Sequence, residues 1–296
     1  MNGHQRQIEE TQTEDTQTKD MQTNATRKSA GRDAAGELAS QLDFYREQID
    51  QEEEISRPRC YPRPVRFLLQ RKFRWVLDQL QTRLPGGLAG RAALVVCCGS
   101  GMESEILARH GLRVVALDIS AEAIERAGER ARRYGVDYSL LVGDAERLPF
   151  ADASFDIVFV HDGLHHLPEA YNGVREMLRV ARLAVVVAEP ADAALTKFSV
   201  MLGLSGEYED AGNYVYRLRK DKLEALFASC GLRDWRFQRN LIYYQSWTHR
   251  IYRRFEKAPL YWLFCAGFHV VNLFLGRWGN SLRAVAWKDQ AHSARP

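Results

Sequence analysis

From Ala92 onward the chain alternates short apolar runs with amphipathic stretches. The runs AALVVCC, LRVVALD, YSLLVGD, FDIVFVH and LAVVVAE read as five strands of four to seven residues with little internal polarity. Continuous apolar strands separated by helical patterns predict a parallel sheet covered on both faces, an open α/β fold. Upstream, Leu38, Leu42, Phe44, Tyr45 and Ile49 recur at roughly helical spacing between Ala34 and about Glu54. After RPRCYPRP, Phe67, Leu68, Phe73, Val76 and Leu80 predict a second helix, ended by Gly86 and Gly87. Downstream, DKLEALFASC reads as a helix closed by Gly231, and LRDWRFQRNLI as a strand. The first thirty or so residues are polar, with the echo TQTED, TQTKD, MQTNA, and cannot bury enough surface to offset their ordering entropy. The expected organisation is a disordered acidic tail over 1–33, helices over 34–88, a sheet core over 89–240, an insertion over 241–280, and a last strand with its tail over 281–296.

Composition narrows the class. With 296 residues, 46% hydrophobic and 27% charged, the chain is of globular type, which excludes whole-chain disorder, a disulfide scaffold and a multi-span membrane protein. The formal charge of +3 gives no argument for a nucleic-acid partner, and none is expected. The charge is unevenly placed: residues 1–55 hold 6 Lys/Arg against 13 Asp/Glu, and residues 240–296 hold 8 against 2. Five cysteines without CxxC spacing, and no apolar signal stretch at the start, lead to the expectation of a reduced, cytoplasmic setting.

The candidate chemistry begins at the first strand–helix turn, Val95-Val96-Cys97-Cys98-Gly99-Ser100-Gly101-Met102-Glu103. Glycines permit a tight turn and close backbone approach to a ligand, and the helix N-terminus beyond offers unpaired N–H groups to a nucleoside or carboxylate. Asp118, 17 residues after Gly101, ends the second strand where an acidic side chain can accept hydrogen bonds from ribose hydroxyls. A dinucleotide fingerprint would place its third glycine at Ser104, so the nicotinamide reading becomes the lesser one.

The order VVCCGSGME, VVALDIS, GDAERLPF, SFDIVFVHDGLHHL and VVVAEP resembles the class I S-adenosylmethionine-dependent methyltransferases over about residues 90–190, specifically the ubiquinone and menaquinone biosynthesis branch. The resemblance implies a Rossmann-like, mostly parallel seven-stranded sheet with helices on both faces, its last strand at Ser281–Lys288. It implies S-adenosylmethionine as cofactor, with the Gly99-Ser100-Gly101 turn under the methionine part, Asp118 on the ribose diol and Ile119 on the adenine. Asp144 would accept from the adenine amino group, the Ala145 N–H would reach the ring, and His161 would sit beside the sulfonium. Two positions depart from the pattern: an acid usual two residues before the first glycine is Cys97, and the third glycine of GxGxG is Glu103. Glu103 is the expected substitute for the missing carboxylate near the cofactor's ammonium group.

His161, Asp162, His165 and His166 resemble a set of metal ligands, but LHHL after this strand is ordinary for the resembled family, and no metal is expected. His165 and His166 are instead the candidate proton acceptors, with pocket-shaping hydrogen bonds as the competing role. Asp156 reads as a structural residue at a strand entry, Cys97 and Cys98 as small buried hydrophobes, and Glu189-Pro190 either as pocket lining or as a strand-ending turn. Methyl transfer from an activated donor needs positioning more than a nucleophile, so the lack of a triad is expected.

The insertion contains 19 uncharged residues between Lys257 and Arg277, flanked by Arg250, Arg253, Arg254 and Lys257. Four readings stand: a membrane span, an interfacial helix with peripheral membrane contact through 247–276, a buried lid, or a homodimer contact. Trp247, Tyr261, Trp262, Phe264, Phe268 and Phe274 are candidates to line a pocket for a hydrophobic small-molecule acceptor such as a quinone, polyketide or lipid. The function the resemblance leads one to expect is methyl transfer to oxygen, carbon or nitrogen of such an acceptor; the alternatives are another reaction on the same fold and a non-catalytic cofactor-binding, membrane-associated protein.

Overall fold

The computed structural model describes residues 49–201, 215, 217–243 and 248–288, together with positions 36, 39, 42, 43 and 46. The expected 1–33 tail and Trp247 lie outside the described residues. The described chain forms one seven-stranded sheet in the order β3-β2-β1-β4-β5-β7-β6. Its strands are β1 (Ala92–Val96), β2 (Arg113–Asp118), β3 (Ser139–Val142), β4 (Phe155–His161), β5 (Ala181–Pro190), β6 (Asp234–Asn240) and β7 (Ser281–Trp287). β7 runs antiparallel to both neighbours and the other pairings are parallel. This is the mostly parallel Rossmann-like sheet expected from the sequence.

The helices are α1 (Gln51–Ser56), α2 (Arg63–Arg83), α3 (Met102–Arg109), α4 (Ala121–Tyr134), α5 (Ala170–Val180), α6 (Ala194–Met201), α7 (Lys220–Ser229), α8 (His249–Tyr252) and α9 (Leu260–Leu275). Local chemistry sets their ends. Ser120 caps α4 by accepting from the Ala123 N–H at 3.0 Å, and Gly135 closes it in the left-handed conformation. α2 begins on Pro62 with Pro64 in its first turn, where a missing N–H costs nothing. One face of the sheet packs β-strand residues against Val174, Met177, Leu178, Leu223 and Phe227; the other packs against Phe73, Val76, Leu80, Leu107 and Ala127.

Three expectations are corrected. The helix expected to run from Ala34 to Glu54 is interrupted: Asp50 lies outside the helix and its carboxylate accepts from the Glu53 N–H at 3.0 Å, starting α1 afresh. β3 was expected to be covered on both faces; it is the sheet's edge, and Leu140 and Val142 are exposed. A buried lid is not what the insertion forms, because most of α9 is exposed.

N-terminal residues are fixed to the sheet layer by a buried cation. Arg130 on α4 is fully buried; its Nε meets Glu105 Oε2 at 2.9 Å, and its guanidinium donates to the Ile55 carbonyl at 2.9 Å and to the Arg57 carbonyl. Arg59, Arg109 and Arg130 hold the Glu105 carboxyl down to about 2 against burial, which alone would raise it.

Candidate active site

The strand order reverses between β1 and β4, so the crevice beyond their C-terminal ends is where an open α/β sheet receives a ligand. The first turn lies there. Cys97, Gly99 and Gly101 have φ of 51°, 49° and 80°. A Cβ on Gly101 would come within 2.6 Å of the Tyr138 hydroxyl and 3.1 Å of Ala127 Cβ, so α4 and the segment before β3 press directly on the turn. A Cβ on Gly99 would meet nothing within 4 Å, so space is open beside the turn at that position.

Asp118 closes that turn from the side. Its Oδ2 accepts from the Gly99 N–H at 2.8 Å and its Oδ1 from the Ser120 N–H at 3.0 Å. Burial raises its pKa above the ordinary carboxylate value, a shift that these two N–H donors oppose. Each oxygen keeps further acceptor capacity. Ile119 beside it is 43% exposed, an apolar surface adjoining the carboxylate. Asp144, beyond the end of β3, is exposed, and its Oδ1 accepts from the Glu146 N–H at 2.8 Å; Ala145 is buried.

At the other end of the crevice the charged side chains lie against one another, although His161 Nε2 makes no hydrogen bond. His161, the last residue of β4, has Nδ1 2.7 Å from Glu103 Oε1 and Nε2 3.1 Å from Asp162 Oδ2. Asp162 is also held by Lys72 Nζ at 2.8 Å, from α2. Burial would raise the Asp162 carboxyl, but His161 and Lys72 hold it well below the usual range. Glu103 therefore pairs with His161, and the Ser100 hydroxyl donates to the Glu54 carbonyl at 3.0 Å.

The following loop is fastened by Glu189. This fully buried carboxylate accepts through Oε1 from the Gly163 and Leu164 N–H groups, both at 2.8 Å, and through Oε2 meets His165 Nδ1 at 2.8 Å. His166 lies beside His165 with ring centroids 4.1 Å apart and the ring planes tilted by 38°. Gly163 is required by contact, since a Cβ there would strike Cys97 Cβ. Burial pushes the Cys97 and Cys98 thiols up, away from the reactive thiolate. Asp156 lies apart from the crevice, accepting from the Ala92 N–H at 3.0 Å and pairing with Arg182.

The turn, Asp118, His161 and the loop Gly163–His166 are thus gathered at one end of the sheet. Lys72 and the Glu189 clamp escaped the sequence reading. A signal for Lys72 existed: it occupies the apolar stripe of α2 formed by Val65, Leu68, Leu69, Phe73, Val76 and Leu80, where a lysine needs a buried partner. The expected aromatic pocket is corrected, because α9 turns Tyr261 inward but Trp262 and Phe274 outward, on opposite sides of one helix.

These residues fit a nucleoside better than an amino-acid group. The open turn at Gly99, the Asp118 carboxylate and the exposed Ile119 supply space, acceptors and an apolar face for adenosine. The amino-acid end lacks an acid at Cys97, and Glu103 and Asp162 both contact His161.

Residues 94–185 match the family model of the methyltransferase domain. The chain is 43% identical over 106 residues to the demethylmenaquinone methyltransferase of Renibacterium salmoninarum, covering 35% of this chain and 43% of that protein. To the demethylmenaquinone methyltransferase of Desulfitobacterium hafniense it is 30% identical over 174 residues, covering 50% of this chain and 68% of that one. Against several such relatives the chain spans about half their length or less. In fold it is similar to magnesium protoporphyrin IX methyltransferase from Synechocystis PCC 6803, solved with bound S-adenosylhomocysteine, with a TM-score of 0.56 at 17% identity over 83% of this chain and 97% of that one. Family-model match, 30% identity across more than two thirds of a relative, and the crevice at the β1/β4 reversal agree: the chain belongs to the S-adenosylmethionine-dependent methyltransferases of class I.

Proposed function

We propose that this protein transfers a methyl group from S-adenosylmethionine to a hydrophobic small molecule, with a quinone-like ring as the acceptor class. The observation that carries the reading is the Asp118 carboxylate, braced by the Gly99 and Ser120 N–H groups beside an open turn and an exposed Ile119. The acceptor class is supported by the relatives named as demethylmenaquinone methyltransferases. When bound, the cofactor supplies a methyl group on a positively charged sulfur, already activated for transfer.

The chain's own contribution is placement and proton handling. Asp118 would hold the ribose, Ile119 and the Ala145 backbone would flank the adenine with Asp144 at its amino group, and Gly99 and Gly101 would pass beneath the methionine. Glu103 orients His161 and from there would also face the cofactor's ammonium group. With Nδ1 of His165 engaged by Glu189, proton acceptance from a substrate hydroxyl at that ring runs through Nε2, and His166 is the adjacent candidate.

Calorimetric titration with S-adenosylmethionine and S-adenosylhomocysteine tests the reading. Micromolar-range binding of both supports it, and no binding of either overturns it. A second reading, binding without transfer, is favoured by Cys97 standing where the family carries an acid. Cofactor binding without label transfer to any quinol, phenol or polyketide would establish that reading instead.

A further inference from the structure

α9 meets the protein along one stripe and turns its other side to solvent. Phe67 of α2 meets Tyr261, Phe264 and Phe268 with ring centroids 6.4, 6.3 and 5.5 Å away. Asn272 pins the helix farther along, accepting from the Leu241 N–H at 2.7 Å and from Asn240 Nδ2 at 3.0 Å, and donating to the Leu241 carbonyl at 3.2 Å. On the outer side Trp262, Leu263, Val270, Leu273 and Phe274 are 63, 65, 56, 78 and 67% exposed. This is a continuous apolar strip on a helix about 24 Å long.

Cations and tryptophans stand at both ends of the strip. Near its start, Arg63 stacks over Tyr261 at 3.6 Å and lies 5.9 Å from the Trp262 ring; near its end, Arg277 stacks on Trp278 at 3.8 Å. Arg250, Arg253, Arg254 and Lys257, all exposed, precede the helix with one acid, Glu256, among them. Apolar centre, tryptophan ends and a cationic border are the features of a helix lying in a bilayer interface.

Together with the turn that follows it, the 19-residue stretch Leu260–Trp278 is long and apolar enough to span a membrane, but its attachments forbid it. Asn240 of β6 and Ser281 of β7 are paired residues, so the insertion leaves and re-enters the sheet at the same place, and Asn272 holds α9 flat against that exit. A second copy of the same face is disfavoured as occupant, because self-association would bring two positive borders together.

We propose that the outer face of α9 is a docking surface for an anionic lipid bilayer, with the helix lying parallel to the membrane and Arg253, Arg254, Lys257 and Arg277 meeting lipid phosphates. α2 connects this surface to the crevice: Phe67 meets α9, and Phe73 lies 4.9 Å from the His161 ring. A membrane-dissolved acceptor would thus reach the protein on the side leading to its site; this last point rests on the proposed reaction, whereas docking does not.

Vesicle flotation tests the surface with the full chain. The protein should float with phosphatidylcholine vesicles containing phosphatidylglycerol, weakly with phosphatidylcholine alone, and less as salt rises. The triple variant Arg253→Gln, Arg254→Gln, Lys257→Gln should lower partitioning on the order of a hundredfold, and Leu273→Ser with Phe274→Ser should abolish it. Circular dichroism and cofactor titration of each variant separate loss of docking from loss of fold or of the methyltransferase reading. Absence of the wild-type protein from both vesicle fractions overturns the proposal. So does a sedimentation-detected dimer that the Leu273→Ser, Phe274→Ser variant dissociates.

Discussion

Replacing Lys72 by methionine removes one charge from the middle of the molecule while keeping most of the side-chain volume. Lys72 is 3% exposed and its Nζ lies 2.8 Å from Asp162 Oδ2, joining α2 to the residue that follows β4. Breaking a buried ion pair costs about 3–5 kcal/mol when the remaining charge is fully enclosed. Asp162 keeps 29% side-chain exposure and His161 at 3.1 Å, so the expected loss is lower, about 2–3 kcal/mol. The pH dependence has a definite sign. The Asp162 carboxyl is held below its ordinary value, so its contribution is complete above the ordinary carboxylate pKa and fades as the pH falls below it. Urea unfolding followed by circular dichroism should therefore show a constant Lys72→Met deficit near neutrality that narrows in acid. With Asp162→Asn completing a double-mutant cycle, the coupling should be about 1–2 kcal/mol. A coupling under about 0.5 kcal/mol, with a deficit that ignores pH, would show that the two groups are neighbours without being partners.

Asp118→Ala should weaken S-adenosylhomocysteine binding by about 1–3 kcal/mol in calorimetry, and an unchanged affinity would remove Asp118 from the ribose site. Because burial raises Asp118, wild-type affinity should begin to fall at a pH above the ordinary carboxylate range as the acceptor is protonated; a profile flat through pH 4 would contradict this. Glu189→Ala strands the Gly163 and Leu164 N–H groups and should cost about 3–5 kcal/mol, with Glu189→Gln recovering part of it, read by denaturant melts; equal stability of all three forms would refute the clamp. His165→Gln should lower turnover about a hundredfold or more while leaving cofactor affinity nearly unchanged, and a normal rate would take His165 out of proton transfer.

The strands were legible because burial on both faces writes itself as an unbroken apolar run, as in β4, where every residue is buried. β3 has the same kind of run, but at the sheet edge composition alone does not distinguish a covered strand from a bare one. The Asp50 break was local and readable in principle, since Asp50 and Glu53 stand at helix-cap spacing. The crevice was legible as a set of motifs, not as a set of contacts. Glu103 and His161 lie 58 residues apart, and Lys72 and Asp162 lie 90 apart, so these pairings exist only once the β1/β4 crossover and the seating of α2 are known. The direction of each aromatic on α9 was likewise undecided until Phe67 and Asn272 fixed which stripe faces inward.

Methyl transfer to an apolar acceptor can be read directly as transfer of label. The full chain is incubated with S-adenosylmethionine labelled on the methyl group and with reduced demethylmenaquinone dispersed in anionic vesicles, and organic-extractable label is counted beside the Asp118→Ala variant. Label should appear in the lipid extract in a time-dependent way and be much reduced with the variant. No extractable label from a protein that binds the cofactor, across quinol, phenol and polyketide acceptors alike, would contradict methyl transfer to an apolar acceptor.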